Sequence, residues 1–253
     1  MRISEIKAIL DATAIENLET VLAAHQADER KGVQTLIASY QRKIQKHTQE
    51  MQRIDGLWEY ENIYFDKGHQ FIAGLDEVGR GPLAGPVVAA SVILPRGCRL
   101  PVNDSKKLSK DKRETLYHQI KEVAISIGVG CVPPEVIDDI NILEATKLAM
   151  LQAIDNMPVA PDFLLLDALT LNKKIGQRPI IGGDGKSANI AAASIIAKVT
   201  RDAMMDDYDK QYPQYHFVSN KGYGTEAHMQ ALLEYGLTPI HRRSFLKGHQ
   251  YAR

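Results

Sequence analysis

Cysteine is scarce in this chain: of 253 residues only Cys98 and Cys131 carry a thiol, far apart and outside any CxxC pair. That excludes a disulfide framework and a cysteine-built structural zinc site, and leaves two reduced thiols. Net charge is missing too, with 31 basic residues against 31 acidic ones. A protein that coats nucleic acid wholesale is strongly basic, so any contact with a polyanion here must be local. No apolar run approaches the roughly 18 residues that cross a bilayer, and no hydrophobic signal region opens the chain. A soluble, cytoplasmic protein is the expectation. Proline does not occur before Pro82, so the strongest helix breaker is absent from the whole first part.

What is present is enough apolar material, 44% of residues, for one good core and a smaller appended unit. The first part reads as helical. Ile3, Ile6 and Leu10 recur at helical spacing, as do Ile15, Leu18 and Leu22, and then Val33, Leu36, Ile37, Tyr40 and Ile44. Lys31, Arg42, Lys43 and Lys46 give one of these helices a basic face, either solvated or placed against phosphates. The pattern changes near Gly68, which divides the chain into a helical extension over 1–68 and a main domain over 69–253. Strands are expected over 71–75, 87–94, 123–132 and 163–166, with a short edge piece over 179–181. Helices are expected over 141–156, capped by Asn141, over 189–209, and from a Thr225 cap to Gly236. This order implies an α/β fold, a mixed sheet with helices on both faces.

The sharpest local signal is Gly74-Leu75-Asp76-Glu77-Val78-Gly79-Arg80-Gly81-Pro82. Two adjacent carboxylates close an apolar strand and a Gly-Arg-Gly turn follows. In a regular strand Asp76 and Glu77 point to opposite faces. Glycines after them let the backbone leave the pleat, so that both acids reach one site, and let the main chain approach a ligand closely. The plain alternative is an exposed acidic turn with Arg80 as a surface cation. Asp167 directly follows Leu164-Leu165-Leu166; an acid ending an apolar strand is costly unless it lies at a cleft, is paired or holds a metal, or else it caps a turn. Asp184 sits in Gly182-Gly183-Asp184-Gly185-Lys186-Ser187. A phosphate-binding GxxxxGK[ST] loop would need glycine at position 180, where the chain has Ile180, so a nucleoside triphosphatase is excluded. Asp202, beside Arg201, is the rival of Asp184 as a fourth acid. Oxygen donors without a His/Cys cluster suit hard cations, Mn²⁺ or Mg²⁺. Two such ions roughly 4 Å apart would activate water and stabilise a leaving oxygen in phosphodiester hydrolysis.

These strings are where a family resemblance enters. Residues 74–86, Asn103-Asp104-Ser105-Lys106-Lys107-Leu108, residues 164–167, residues 191–202, Asn220-Lys221-Gly222-Tyr223-Gly224-Thr225 and His241-Arg242-Arg243-Ser244-Phe245 together resemble the ribonuclease HII family, in the same order. The resemblance runs from about residue 70 onward, and residues 1–65 look like the helical extension of some bacterial members. It implies an RNase H-like fold with a mixed five-stranded sheet. It also implies cleavage of the RNA strand of RNA–DNA hybrids and of ribonucleotides embedded in duplex DNA, with 3′-hydroxyl and 5′-phosphate products. On this resemblance Asp76, Glu77 and Asp167 match the metal ligands and Asp184 the fourth acid. Gly79, Arg80 and Gly81 match the turn that contacts the 2′-hydroxyl, and Tyr223 the ring that stacks on the following deoxyribose.

Lys106, Lys107, Lys198 and Lys221 are candidate phosphate contacts, which position a duplex without reading its sequence. Ser194 shares a helix face with Lys198. The segment from His241 carries Arg242, Arg243, Lys247 and Arg253 with no acid; it either guides DNA or frays, with Ser244 and Phe245 as anchors to the core. A monomer acting on nucleic-acid duplexes is expected. Two rivals remain: a non-catalytic hybrid-binding protein on the same fold, and ribonuclease HIII, a sister family with a strand-containing N-terminal domain.

Overall fold

In this computed structural model residues 1–247 are described; Arg253 lies outside them. The chain forms two compact units, Met1–Asp55 and Gly56–Arg253.

The first unit is helical, with no strand among its residues: α1 (Ile3–Ala12), α2 (Leu18–Ala23) and most of α3 (Lys31–Gly56). The apolar spacing read from the sequence is the packing stripe, because Ile6, Leu10, Leu18, Leu22, Val33, Ile37 and Tyr40 form its buried core. Lys31, Arg42, Lys43 and Lys46 stay exposed on α3.

The second unit begins with α4 (Glu59–Phe65) and continues through β1 (Ile72–Val78), β2 (Val87–Ile93), α5 (Lys110–Val123), β3 (Ser126–Val132), α6 (Pro134–Asp155), β4 (Phe163–Asp167), β5 (Gly176–Ile180), α7 (Ala188–Gln211), α8 (Phe217–Asn220) and α9 (Glu226–Tyr235). One five-stranded sheet runs in the order β3-β2-β1-β4-β5. The β3-β2-β1 ladder is antiparallel, whereas β4 and β5 join in parallel, so the sheet is mixed. Alternate residues face two cores. Ala73, Leu75, Leu164 and Leu166 pack with Ala145, Ala149, Met150 and Ala153 of α6. On the other face Ile72, Phe163, Leu165 and Ile190 of α7 share a core. Gly74 lets α7 lie directly on β1, since a methyl group there would meet the Asn189 backbone carbon at 2.1 Å.

Polar contacts then bolt the start of α7 in place. Asn189 accepts from Leu94 N–H at 2.9 Å and donates to the Ile72 carbonyl at 2.9 Å. The buried Glu61 carboxylate accepts from Ser187 Oγ at 2.6 Å and from Asn189 N–H at 3.0 Å.

Two expected boundaries move. Val123 closes α5, so β3 starts only at Ser126; α5 escaped notice because only Leu116 and Ile120 of its residues are buried. The helix expected from Asn141 starts earlier, at Pro134, and breaks at Asn141, whose φ is 66°. Asn141 still caps the second segment, its side chain accepting from the N–H groups of Leu143 and Glu144. Thr225 caps α9 and Gly236 ends it, as read. No described helix is long and apolar enough to cross a membrane, and both cysteines are free thiols.

Candidate active site

β1 pairs with β4 only as far as Leu75 opposite Leu166. The next residues along each strand are Asp76 and Asp167, at the mouth where these two parallel strands part. Strand alternation puts both on the α7 face, with Ile72 and Leu165. Glu77 comes off the other face of β1. The acids do not close the strand as expected: β1 continues to Val78, and the backbone leaves the pleat at Gly79 (φ 92°). Asp167 is followed by Ala168 at φ 53°, a left-handed turn that costs a side-chain-bearing residue about 1 kcal/mol. The chain then returns through β5 to the Gly183–Gly185 turn that carries Asp184, and Gly183 N–H donates to Asp167 Oδ1 at 2.9 Å.

The charges of all four acids meet here. Burial first, then Glu77, Asp167 and Asp184, push the Asp76 carboxyl well above the ordinary carboxylate range. Burial also raises Glu77, and Asp167 adds to it, while Arg80 opposes. Asp184 is raised by burial, Asp104 and Asp167, with Lys106 opposing. Asp202, the rival of Asp184, pairs its carboxylate with Lys198 at 2.8 Å. Asp104 is an acid that sequence reasoning quoted inside a motif but did not count; its charge and hydrogen bond act directly on Asp184.

These side chains fit a divalent cation in their chemistry. All are hard oxygen donors, and buried Glu77 Oε2 has no partner among the described residues, a costly state that a cation would relieve. No three His, Cys, Asp or Glu side chains among the described residues already converge on one ion position. Unneutralised carboxylates repel one another.

Next to the acids lies the Gly79-Arg80-Gly81 turn. Arg80 Nη1 donates to Glu77 Oε1 at 3.3 Å. A methyl group on Gly79 would stand 2.2 Å from Arg201 Nε, so both its φ and its surroundings demand glycine. Two fully buried arginines hold this region by backbone carbonyls. Arg242 donates to Gly79 O at 2.6 Å, Arg80 O at 3.0 Å and Gly85 O at 2.7 and 2.9 Å. Arg201 donates to Pro86 O, Ala84 O and Lys221 O at 2.9–3.0 Å. Arg242, in the segment expected either to guide DNA or to fray, does neither: it is an internal clamp. Ser244 is anchored as expected, on Asp138, and Phe245 packs on the α6 core.

Tyr223 stands across from this turn, 47% exposed, its Cε1 at 3.5 Å from where a Gly81 side chain would begin. Lys106 and Lys107 lie exposed on a short turn capped by Asp104. Ser194 is buried and faces inward: its hydroxyl donates to Ser105 Oγ at 2.8 Å and so ties that turn to α7. Lys198 and Lys221 are held in ion pairs with Asp202 and Asp206.

Comparison with known proteins gives the family of the chain. Residues 73–248 match the Ribonuclease HII family and residues 2–65 the Ribonuclease HII N-terminal domain. A Ribonuclease HII of Enterococcus faecalis (strain ATCC 700802 / V583) is 52% identical over 243 residues, 95% of each chain. The ribonuclease H2 structure from Pyrococcus horikoshii OT3 is similar with a TM-score of 0.60 and 27% identity, over 73% of this chain and 96% of that one. An Archaeoglobus fulgidus RNase HII, solved in complex with PCNA, gives 0.57 and 25%, over 68% and 94%. Bst-RNase HIII in complex with Mn²⁺ shares the fold at 19% identity and a TM-score of 0.50, over 65% and 70%. With both parts of the chain matched and a near-full-length relative identical at half its positions, the chain belongs to the ribonuclease HII family, hydrolases that cut RNA in RNA–DNA hybrids.

Proposed function

We propose that this chain, besides cutting hybrids, incises duplex DNA on the 5′ side of embedded ribonucleotides, single ones included, leaving 3′-hydroxyl and 5′-phosphate ends. At one ribonucleotide only the 2′-hydroxyl distinguishes RNA from DNA. The observation that carries the proposal is the state of the turn beside the acids. Its carbonyls are consumed inside by Arg242, while the N–H groups of Arg80 and Gly81 have no acceptor among the described residues. A ribose 2′-oxygen is an acceptor of the right size to approach them. The half-exposed Tyr223 ring then offers a flat face to the next sugar, and a 2′-hydroxyl on that sugar would crowd it. The result favours an RNA-to-DNA junction.

Asp76, Glu77, Asp167 and Asp184 would hold two divalent cations, Mn²⁺ or Mg²⁺, which when bound supply charge stabilisation and an activated water for attack on the phosphodiester. The chain's own part is to gather the acids at the strand mouth, to fix the turn, and to place the scissile phosphate between them. Lys106 and Lys107, both exposed, with Lys107 4.0 Å from Asp104, would steer phosphates.

The test is cleavage of three labelled duplexes with and without chelator: all-DNA, DNA with one ribonucleotide, and an RNA–DNA hybrid. Metal-dependent incision of the second on the 5′ side of the ribonucleotide is expected, with the all-DNA duplex untouched. Cutting of the hybrid alone would overturn the proposal and favour a reader of longer RNA tracts.

A further inference from the structure

Two buried histidines lie behind Tyr223, and the activity leaves them unused. His228 and His241 are 0% and 3% exposed. Their Nε2 atoms meet at 3.0 Å. At one end the Thr238 N–H points at His241 Nδ1 at 2.9 Å, with the Thr238 hydroxyl also at 2.8 Å. At the other end His228 Nδ1 lies 2.9 Å from the Tyr223 carbonyl. Each end permits one arrangement only. A backbone N–H can only donate, so His241 Nδ1 carries a lone pair and its Nε2 carries the proton. A carbonyl can only accept, so His228 Nδ1 carries the proton and its Nε2 accepts. The single proton between the rings satisfies both conditions. Both imidazoles are neutral, and all four ring nitrogens are used.

The surroundings agree. Tyr215 and Phe217 wall the pair, with ring centroids 5.1–6.2 Å away. The ionisable one of these, Tyr215, spends its hydroxyl on the Gly236 carbonyl. No carboxylate among the described residues bonds either ring, so a charge there would be uncompensated. Burial lowers both histidines below their ordinary range, and His228 lowers His241 further.

We infer that His228 and His241 form a tautomer-locked relay that positions Tyr223 and thereby sets the preference for a ribonucleotide followed by a deoxynucleotide. The inference rests on the reading of Tyr223 given above. Tyr223 stands on a loop between Gly222 and Gly224, and among the described residues the one side chain that bonds its backbone is His228. Its N–H bonds Asn220 O, and its carbonyl takes Thr225 N–H in addition to His228. The relay runs from Thr238, beyond α9, back to this carbonyl. It fixes the peptide plane, and with it the position of the ring against Gly81.

The test has two arms. Nitrogen-resolved NMR of histidine-labelled full-length protein at neutral pH should find His228 as the Nδ1–H tautomer, the minor form in water, and His241 as the Nε2–H tautomer. Reversed or averaging tautomers would refute the relay. The second arm is the ratio of kcat/KM on a duplex with one ribonucleotide to kcat/KM on an all-RNA strand hybrid. His228→Gln, which lacks a donor at the δ position, should lower this ratio roughly tenfold, short of the ~100-fold that an ångström of misplacement can cost at a reacting centre. His228→Asn keeps a δ donor and should preserve the ratio. In a Tyr223→Ala background His228→Gln should change it no further. Equal losses on both substrates, additive with Tyr223→Ala, would reduce the pair to packing. A ratio lost in Tyr223→Ala but intact in His228→Gln sinks the relay alone. A ratio unaffected by Tyr223→Ala sinks the reading of Tyr223 and the relay's purpose together.

Discussion

At residues 76, 77, 167 and 184 the chain gathers negative charge that it scarcely answers: Arg80 and Lys106 oppose it, and Glu77 Oε2 is buried without a partner among the described residues. A few residues away, at 79–86, the opposite holds. Two buried guanidiniums spend their hydrogens on backbone carbonyls, and a histidine pair locks the loop opposite. The first region costs stability and is kept for what it can bind. The second has its carbonyls held from inside by buried hydrogen bonds, and that hold gives it shape. Chemistry on a phosphodiester needs under-neutralised acids, whereas telling one hydroxyl from a hydrogen needs a surface that does not yield.

The contrast can be broken most strongly at Asp76. Asp76→Asn should lower cleavage by about 10³-fold or more, since several kcal/mol of charge stabilisation depends on such a ligand, while hybrid affinity stays near wild type. It should also raise stability, by about 1 kcal/mol or roughly 2–4 °C in Tm, because a buried carboxyl raised by three like charges is replaced by a neutral group. A calorimetric scan that shows a lower Tm would mean the acids are not strained against one another.

Arg242→Met attacks the clamped region. It strands the carbonyls of residues 79, 80 and 85, and should cost about 3 kcal/mol or more in a denaturant titration. In whatever fraction stays folded, discrimination between one ribonucleotide and none should fall. Unchanged discrimination would show that the turn keeps its shape unaided.

Acid separates the regions differently. His241 is held at about 4, below its usual 6.5, by burial and by His228. Between those values the unfolded chain binds a proton that the folded chain refuses. Stability is therefore lost as pH falls through the window, by on the order of 3 kcal/mol. His241→Gln should flatten the pH dependence of the urea midpoint; an identical slope would place the titrating group elsewhere.

The smallest effect belongs to the rim. Lys107→Ala should weaken duplex binding a few-fold, alike for every sequence, and reduce the salt slope of log K by about 1. A sequence-dependent loss would contradict a phosphate contact.

Asp76, Glu77 and Asp167 were legible because each follows an apolar strand run, and register then does the rest: once Leu75 pairs with Leu166, Asp76 and Asp167 must share a face; Asp184 lies on a glycine-rich turn and was the weaker match. Tyr223 was legible through the family resemblance, since an aromatic between glycines on a turn is by itself an ordinary half-buried residue. Arg201 and Arg242 were not, since an arginine in a sequence reads as a surface cation and nothing local reports a ring of carbonyls drawn from residues 79–86. His228 and His241 stand on separate segments that meet only through the core around Tyr215 and Phe217. α5 was missed because its apolar face is two residues wide.

The clamp on residues 79–85 has a consequence in time. A ribosome delivers the acids at 76, 77, 167 and 184 well before it delivers His241 and Arg242. Until Arg242 reaches the carbonyls of its distant neighbours, the emerging polypeptide owns its cutting edge without its sense of touch. On the proposed reading of the turn, selectivity is thus acquired after the acids are in place, and a nick just ahead of residue 241 would take it back.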